Sequence, residues 1–526
     1  MHKPNYLYQR KVKNKASQLL VSFVIAVLLW WELLPGVALA QTQTPAPTEN
    51  SIQPYLNRVI KQLSEFRLDN GMKFIVLERH QAPIVSFLTY ADVGGVDEPD
   101  GKTGVAHFLE HLAFKGTTRI GTSNYQAEKP LLERLDQLAE QIIAAKAANK
   151  KDEVTKLEAQ FKKIEAQATK LAKQNELGRI VEQAGGVGLN ANTSTEATRY
   201  FYSFPSNKLE LWMSLESERF LDPVFREFYK EKDVILEERR MRVENSPIGI
   251  MMEKLIDTSF KVHPYKRPVI GYDQDIRNLT REDVQKFFNA YYVPNNLTIA
   301  VVGDVNAEQV RKLAQIYFGR YKAKEKAVAQ ISVEPKQTQT REVSVELRSQ
   351  PWYLEGYHRP AMTHPDHAVY EIIGSLLSSG RTSRLYKSLV EKQQLALSAQ
   401  GFSGFPGDKY PNLMLFYTLT APGHTVDEVA VALRQEIDRL KTEPVSDTEL
   451  QRVKTQARAG LLRILDSNMG MAQQLLEYEV KTGSWRNLFK QLDEIIAVTP
   501  ADIQRVATAT FTTENRTVGK ILSKQG

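Results

Sequence analysis

His107-Phe108-Leu109-Glu110-His111 lies in the apolar run 105–114, which has helical character and follows a loop marked by Gly94-Gly95 and Pro99-Asp100-Gly101. On a helix, residues four apart share a face, so the imidazoles of His107 and His111 can converge on one ion. Glu110 is then close enough to reach a water beside that ion. Nitrogen and oxygen donors with one position left open suit zinc, which makes such a water acidic enough for a carboxylate to take its proton. The order H-x-x-E-H reverses the commoner H-E-x-x-H. Phe108, Leu109 and Leu112 half-bury the turn, where two histidines and a carboxylate are costly unless something pairs with them.

Outward from this turn, strand and helix signals alternate. Residues 73–77, after the turn Asp69-Asn70-Gly71, and 84–90 read as strands before it. After it, 198–204 and 297–302 read as strands, and 209–220 and 227–244 as helices. The polar stretch 322–341 reads as a linker. Beyond it a strand at 343–347, a helix at 368–377 and a β-rich run at 413–419 repeat the plan, with no histidine–glutamate pair expected on the corresponding helix. The expected fold is α+β: two homologous αβ domains, each a mixed or antiparallel sheet packed with helices, over 61–321 and 342–526. Only the first is expected to carry chemistry.

The stretch 125–181 breaks the plan. Apolar residues recur at steps of three and four, first at Leu131, Leu135, Leu138 and Ile142, then at Leu157, Phe161, Ile164 and Ala168. This predicts an antiparallel helical hairpin, broken near 149–152 and inserted in the first domain. It reads as an ornamental insertion with a solvated outer face rather than a docking arm. Deleting residues 128–173 is accordingly expected to leave the zinc site able to form.

The chain has 526 residues, 42% hydrophobic and 25% charged, enough for two or three domains of ordinary globular composition. Of the formal charge of +7, Lys3, Arg10, Lys11, Lys13 and Lys15 against Glu32 account for +4 within the first 40 residues, leaving +3 spread over the rest. That is no footprint for nucleic acid. The basic start, the apolar run 19–31 and Ala38-Leu39-Ala40 together read as a secretory signal over 1–40, with cleavage and no lasting membrane insertion expected. Residues 41–60 read as a flexible mature start. With no cysteine, an exported chain has no disulfide and relies on its core, which suits a bacterial periplasm.

Chemistry alone leaves the third metal ligand open. Segment 227–244 offers Glu231, Asp233, Glu237, Glu238 and Glu244, of which Glu231 and Glu238 share one face two turns apart. One could bind the metal while the other orients a ligand.

Extended to HFLEHLAFKGT, the pentapeptide resembles the pitrilysin–insulysin family, and in particular its half-length members of the mitochondrial processing peptidase β type. Gly188-Leu189-Asn190-Ala191-Asn192-Thr193-Ser194 is similar to that family's substrate-edge strand. Glu231-Lys232-Asp233-Val234-Ile235-Leu236-Glu237-Glu238 is similar to its second metal helix. His263-Pro264-Tyr265 and Tyr292-Val293-Pro294-Asn295-Asn296 also match. The resemblance implies a zinc endopeptidase acting on peptides or unfolded segments, with one zinc held by His107, His111 and Glu238. It further implies Glu110 as general base, Glu231 as the supporting acid, and backbone groups of Asn190 and Ala191 receiving substrate as an added strand.

Two departures stand out. The gap from His111 to Glu238 exceeds the family's usual one by roughly fifty residues, about the length of the hairpin. Active members also carry an arginine and a tyrosine, seven apart, opposite the zinc; the comparable positions here are Val390 and Leu397, which cannot donate to an oxyanion. The resemblance therefore implies a heterodimer with a homologous subunit that retains the pair, unless Arg381, Arg384 or Tyr386 substitutes for it. The competing expectation is a non-catalytic structural or peptide-binding subunit that keeps the fold.

Overall fold

Runs of β-branched and aromatic residues become the strands of two sheets in the computed structural model, which describes residues 53–524. The first sheet comprises β1 (Leu63–Arg67), β2 (Lys73–Glu78), β3 (Ile84–Ala91), β4 (Val187–Thr193), β5 (Thr198–Pro205) and β6 (Leu297–Gly303), in the order β1-β2-β6-β3-β5-β4. The second comprises β7 (Arg341–Leu347), β8 (Trp352–Arg359), β9 (Ala396–Phe405), β10 (Asn412–Thr420) and β11 (Arg516–Ser523), in the order β7-β11-β8-β10-β9. Without β1 the two sheets share one plan. A parallel pair, β2 with β6 or β7 with β11, is followed by three antiparallel pairings out to the edge strand β4 or β9. The chain is an α+β protein of two homologous αβ domains.

The helices of the first domain's sequence are α1 (Gln53–Gln62), α2 (Val105–Leu112), α3 (Tyr125–Ala147), α4 (Lys151–Leu171), α5 (Glu176–Gln183), α6 (Leu209–Leu221), α7 (Phe228–Arg239), α8 (Pro247–Ser259), α9 (Asp273–Asn278), α10 (Arg281–Tyr291) and α11 (Ala307–Tyr317). Those of the second are α12 (His367–Ser378), α13 (Val426–Thr442), α14 (Asp447–Asp466), α15 (Asn468–Thr482), α16 (Asn487–Ala497) and α17 (Pro500–Thr510). None among the described residues is long and apolar enough to cross a membrane.

Two helices cross over. Ile248, Met251 and Leu255 of α8 pack with Leu354, Leu415, Tyr417 and Ile521 of the second sheet. In return α15 packs on β3 and β6 of the first sheet, where Lys73 of β2 donates to Glu479 at 2.6 Å. The sequence from Leu56 onward thus forms one compact unit. Leu255→Ala should cost about 2–5 kcal/mol, the range for a buried leucine. Both domains should still unfold together, since each sheet needs a helix from the other. Two separate transitions in urea would contradict the interlock.

The structure departs from the sequence expectations at several points. The export signal and residues 41–52 lie outside the described residues. The remainder of the stretch expected to be a flexible start belongs to α1, whose Leu56 and Val59 are buried. The linker 322–340 has no regular element, yet it is docked. Glu334 accepts the backbone N–H groups of Lys261, Val262 and His263 at 2.7–3.1 Å, and Gln337 donates to the Arg516 carbonyl at 2.7 Å. Amides left free beyond the end of α8 need acceptors, and the linker supplies them.

The hairpin proper is α3 and α4. Asn175, in the left-handed region at φ +51°, separates it from α5, whose Leu177 and Val181 belong to the first domain's core. Its inner face is also fastened: Glu128 forms a buried ion pair with Arg226. A deletion beginning at residue 128 would remove the carboxylate partner of Arg226 along with the helices that cover it. The hairpin read as an ornament is thus tied into the first domain at its root, while most of its second helix stays exposed.

The counterpart of α2 in the second domain, α12, begins one residue earlier than expected, at His367, and carries Glu371 one turn on. A histidine–glutamate pair is therefore present there after all. Arg359 meets both, His367 Nδ1 at 3.2 Å and Glu371 at 3.7 Å. A permanent cation thus takes the place between them.

Candidate metal centre

The start of α2 is set by its surroundings. Gly104 precedes it at φ +88°, and a Cβ there would come within 2.7 Å of the Ile270 carbonyl. The Glu98 carboxylate accepts the N–H groups of Gly104 and Ala106, both at 2.9 Å, satisfying donors that a helix start leaves free. Phe108, Leu109 and Leu112 enter the core. This leaves His107, Glu110 and His111 on the face towards α7.

There Glu238 meets both imidazoles. Its Oε2 lies 3.7 Å from His107 Nε2 and 3.5 Å from His111 Nε2, and one ligand atom from each of the three residues falls within 4.8 Å of the others. The rings of His107 and His111 stand at 80° with centroids 4.8 Å apart. The second oxygen of Glu238 pairs with Arg242 at 2.9 Å, on the π-helical turn Arg240–Glu244 that ends α7. Glu231 approaches His111 from the other side, its Oε2 3.3 Å from Nδ1, while its Oε1 is paired with Lys115. A proton on Nδ1 shared with Glu231 leaves Nε2 free to face the cluster, the usual arrangement for a metal-bound histidine.

Charge in the cluster follows from this packing. Burial, helped by the neighbouring His111, depresses His107 to about 4. Burial opposes charge on His111 too, but its hydrogen bonds to Glu231 and Glu238 prevail and raise it to about 9. Burial also opposes the Glu238 charge, yet His111, His107 and Arg242 hold it down to about 2. Glu231 is likewise lowered against burial, by His111 and Lys115. With a face of two nitrogen donors and one carboxylate, the cluster fits a divalent zinc-type ion.

Glu110 stands apart from this set. Burial raises its carboxyl, partly offset by the Thr193 hydroxyl, which donates to Oε2 at 2.6 Å. Thr193 ends β4, the free edge of the first sheet. Asn190 and Ala191 lie on the same strand, paired with Phe201 and Tyr200 of β5. The Ala191 N–H already donates to Asn190 Oδ1 at 2.9 Å, so an added strand using that amide has to displace the side chain. The structure therefore brings together His107, Glu110, His111, Glu231 and Glu238, with β4 alongside.

Val390 is half-buried against the second domain's core, and Leu397 is exposed at the start of β9. Arg384 is tied to Glu449 by two hydrogen bonds, of 3.0 and 2.7 Å, and Arg381 lies over the Tyr386 ring.

Sequence reasoning missed Thr193, Lys115 and Arg242. Arg242 stands four residues after Glu238, a spacing that places it beside that ligand, whereas Lys115 lies beyond the end of α2, where helical spacing gives no signal. Thr193 carried no such signal.

Residues 73–155 and 160–273 match the family model described as Insulinase (Peptidase family M16), and residues 278–457 the one described as Peptidase M16 inactive domain. The chain is 29% identical over 455 residues to the zinc protease PqqE of Helicobacter pylori, covering 84% of this chain and 89% of that protein. It is 24% identical over 455 residues to a probable mitochondrial-processing peptidase β subunit of Arabidopsis thaliana, covering 84% and 74%. Among solved structures, a protease from Helicobacter pylori superposes with a TM-score of 0.74 at 26% identity, covering 88% of this chain and 99% of that one. The periplasmic protease PqqL from Escherichia coli superposes at 0.65 with 17% identity, a likeness of fold that covers 88% of this chain and 48% of the longer one.

Proposed function

Since the chain belongs to the insulinase family of peptidases, M16, we propose that it is the metal-bearing subunit of a zinc-dependent endopeptidase in the periplasm. The observation that carries this reading is the convergence of His107, His111 and Glu238, with Glu110 on the same helical turn as the two histidines and a free strand edge alongside. His107, His111 and Glu238 would hold a zinc ion, whose Lewis-acid strength would polarise a peptide carbonyl and acidify a water. Glu110 accepts the proton from the attacking water and hands it to the leaving amine. Thr193 holds one Glu110 oxygen and so leaves the other for that transfer. Glu231 fixes the His111 ring. An extended peptide adds to β4, taking backbone groups of Asn190 and Ala191 once the Asn190 side chain swings away. Export to the periplasm is supported by the leader-like start and the lack of cysteine.

The facing half of the site comes from a partner in this reading. Val390 and Leu397 cannot donate to an oxyanion, Arg384 is already engaged, and a homodimer duplicates the deficit. In a fluorogenic-peptide assay the chain alone should be weak or inactive. Adding a homologous half-length chain that bears the Arg/Tyr pair should raise turnover on the order of a hundredfold or more. Robust unaided turnover, indifferent to the partner, would sink the heterodimer and shift attention to Arg381 and Tyr386. Zinc uptake without cleavage in any pairing would favour a peptide-binding subunit.

A further inference from the structure

Glu128, in the first turn of the hairpin helix α3, is 1% exposed, and Arg226, just before α7, is 2% exposed. Arg226 Nε donates to one Glu128 oxygen at 2.9 Å and Nη2 to the other at 3.3 Å. The same guanidinium donates to the carbonyls of Lys115, Thr117 (2.7 Å) and Ile120 (3.1 Å), in the loop that leaves α2. Gly116 and Gly121 of that loop make room for it: a Cβ on either would fall 3.0 or 2.8 Å from Arg226 Nη1. One fork thus joins the hairpin, the exit of the first metal helix and the entry to the second.

From that loop Lys115 turns back to pair with Glu231 and, at 3.4 Å, with Glu227. Glu231 in turn holds His111. A second tie runs from Asp136 of α3, which accepts from Tyr229 of α7 at 3.0 Å and from Arg281 at 2.9 Å. Phe161 of α4 stands edge-on to the Tyr229 ring. Farther out, the hairpin helices pair with each other, as in Lys146 with Glu158 at 2.8 Å.

We propose that the root of the inserted hairpin is a clamp that sets the spacing of the two metal helices. Glu128 and Arg226 are its positioning residues, and Lys115 relays their hold through Glu231 to His111. A clamp of this kind presupposes that His107, His111 and Glu238 hold zinc as proposed above. Groups that orient ligands from behind change metal affinity about ten- to a hundredfold.

The test is zinc affinity of the full chain, by competition with a chromophoric chelator, at a temperature where circular dichroism shows each variant folded. Glu128→Gln and Lys115→Met should each weaken binding about tenfold or more. The double variant should be no worse than the poorer single, because both act through Glu231. Replacing 144–160 with a short glycine-rich turn removes the hairpin tip. That change should lower Tm yet leave affinity within about twofold, since the ties behind the ligands remain. This contrast separates positioning from general stability. Unchanged zinc affinity in Glu128→Gln, or in Lys115→Met should the first not fold, overturns the clamp while leaving the ligand assignment intact. A wild-type chain that takes up no zinc overturns the ligand assignment and the clamp with it.

Discussion

Glu110→Gln should retain its zinc and lose about 10²–10⁴ in turnover, the contribution usual for a positioned acid–base group. The amide keeps the shape of the side chain and can still accept from the Thr193 hydroxyl, which meets Glu110 Oε2 at 2.6 Å. It cannot take a proton from the attacking water. Because Glu110 is outside the ligand set, metal content and Tm should match the parent chain. The measurement is kcat for a fluorogenic peptide in the assembled enzyme, with elemental analysis of the same sample. Near-normal turnover by a zinc-loaded Gln variant would remove Glu110 from the mechanism.

Glu238→Ala and His107→Ala should lose most of the zinc, bound at one ion per chain in the parent, and all measurable turnover with it. Each removes one of the three proposed protein ligands. In Glu238→Ala, Arg242 also loses its carboxylate partner, and His107 and His111 lose the acceptor that faces both rings. Glu231→Ala should be milder, because it touches His111 from behind: affinity falls about ten- to a hundredfold without vanishing. Full zinc by elemental analysis in the His107 variant would refute the ligand assignment, and equal losses for Glu231→Ala and Glu238→Ala would erase the distinction between supporting residue and ligand.

The pattern of what was readable follows the range of the interactions. The pair His107 and His111 was legible because four residues of helix fix their relation. The hairpin was legible because its apolar steps are local, and the repeated αβ plan because strands and helices announce themselves in short windows. The choice of Glu238 over its acidic neighbours was not local. Residues 227–244 offered several carboxylates, and only the resemblance, then the approach of α7 to α2, singled one out. A second histidine–glutamate pair on α12 escaped notice, and its neutralisation by Arg359 involves a residue on β8.

By itself the sequence determined the fold class, the metal-type helix and the place of the inserted hairpin, since each depends on periodicity within one or two turns. Tertiary structure alone decided that α8 and α15 cross between the domains, because an apolar helix face records that it is buried but not against which sheet. It alone decided that Glu128 belongs to Arg226. Ninety-eight residues separate them, and only a carboxylate brought into the same buried space can match a guanidinium held there by three backbone carbonyls.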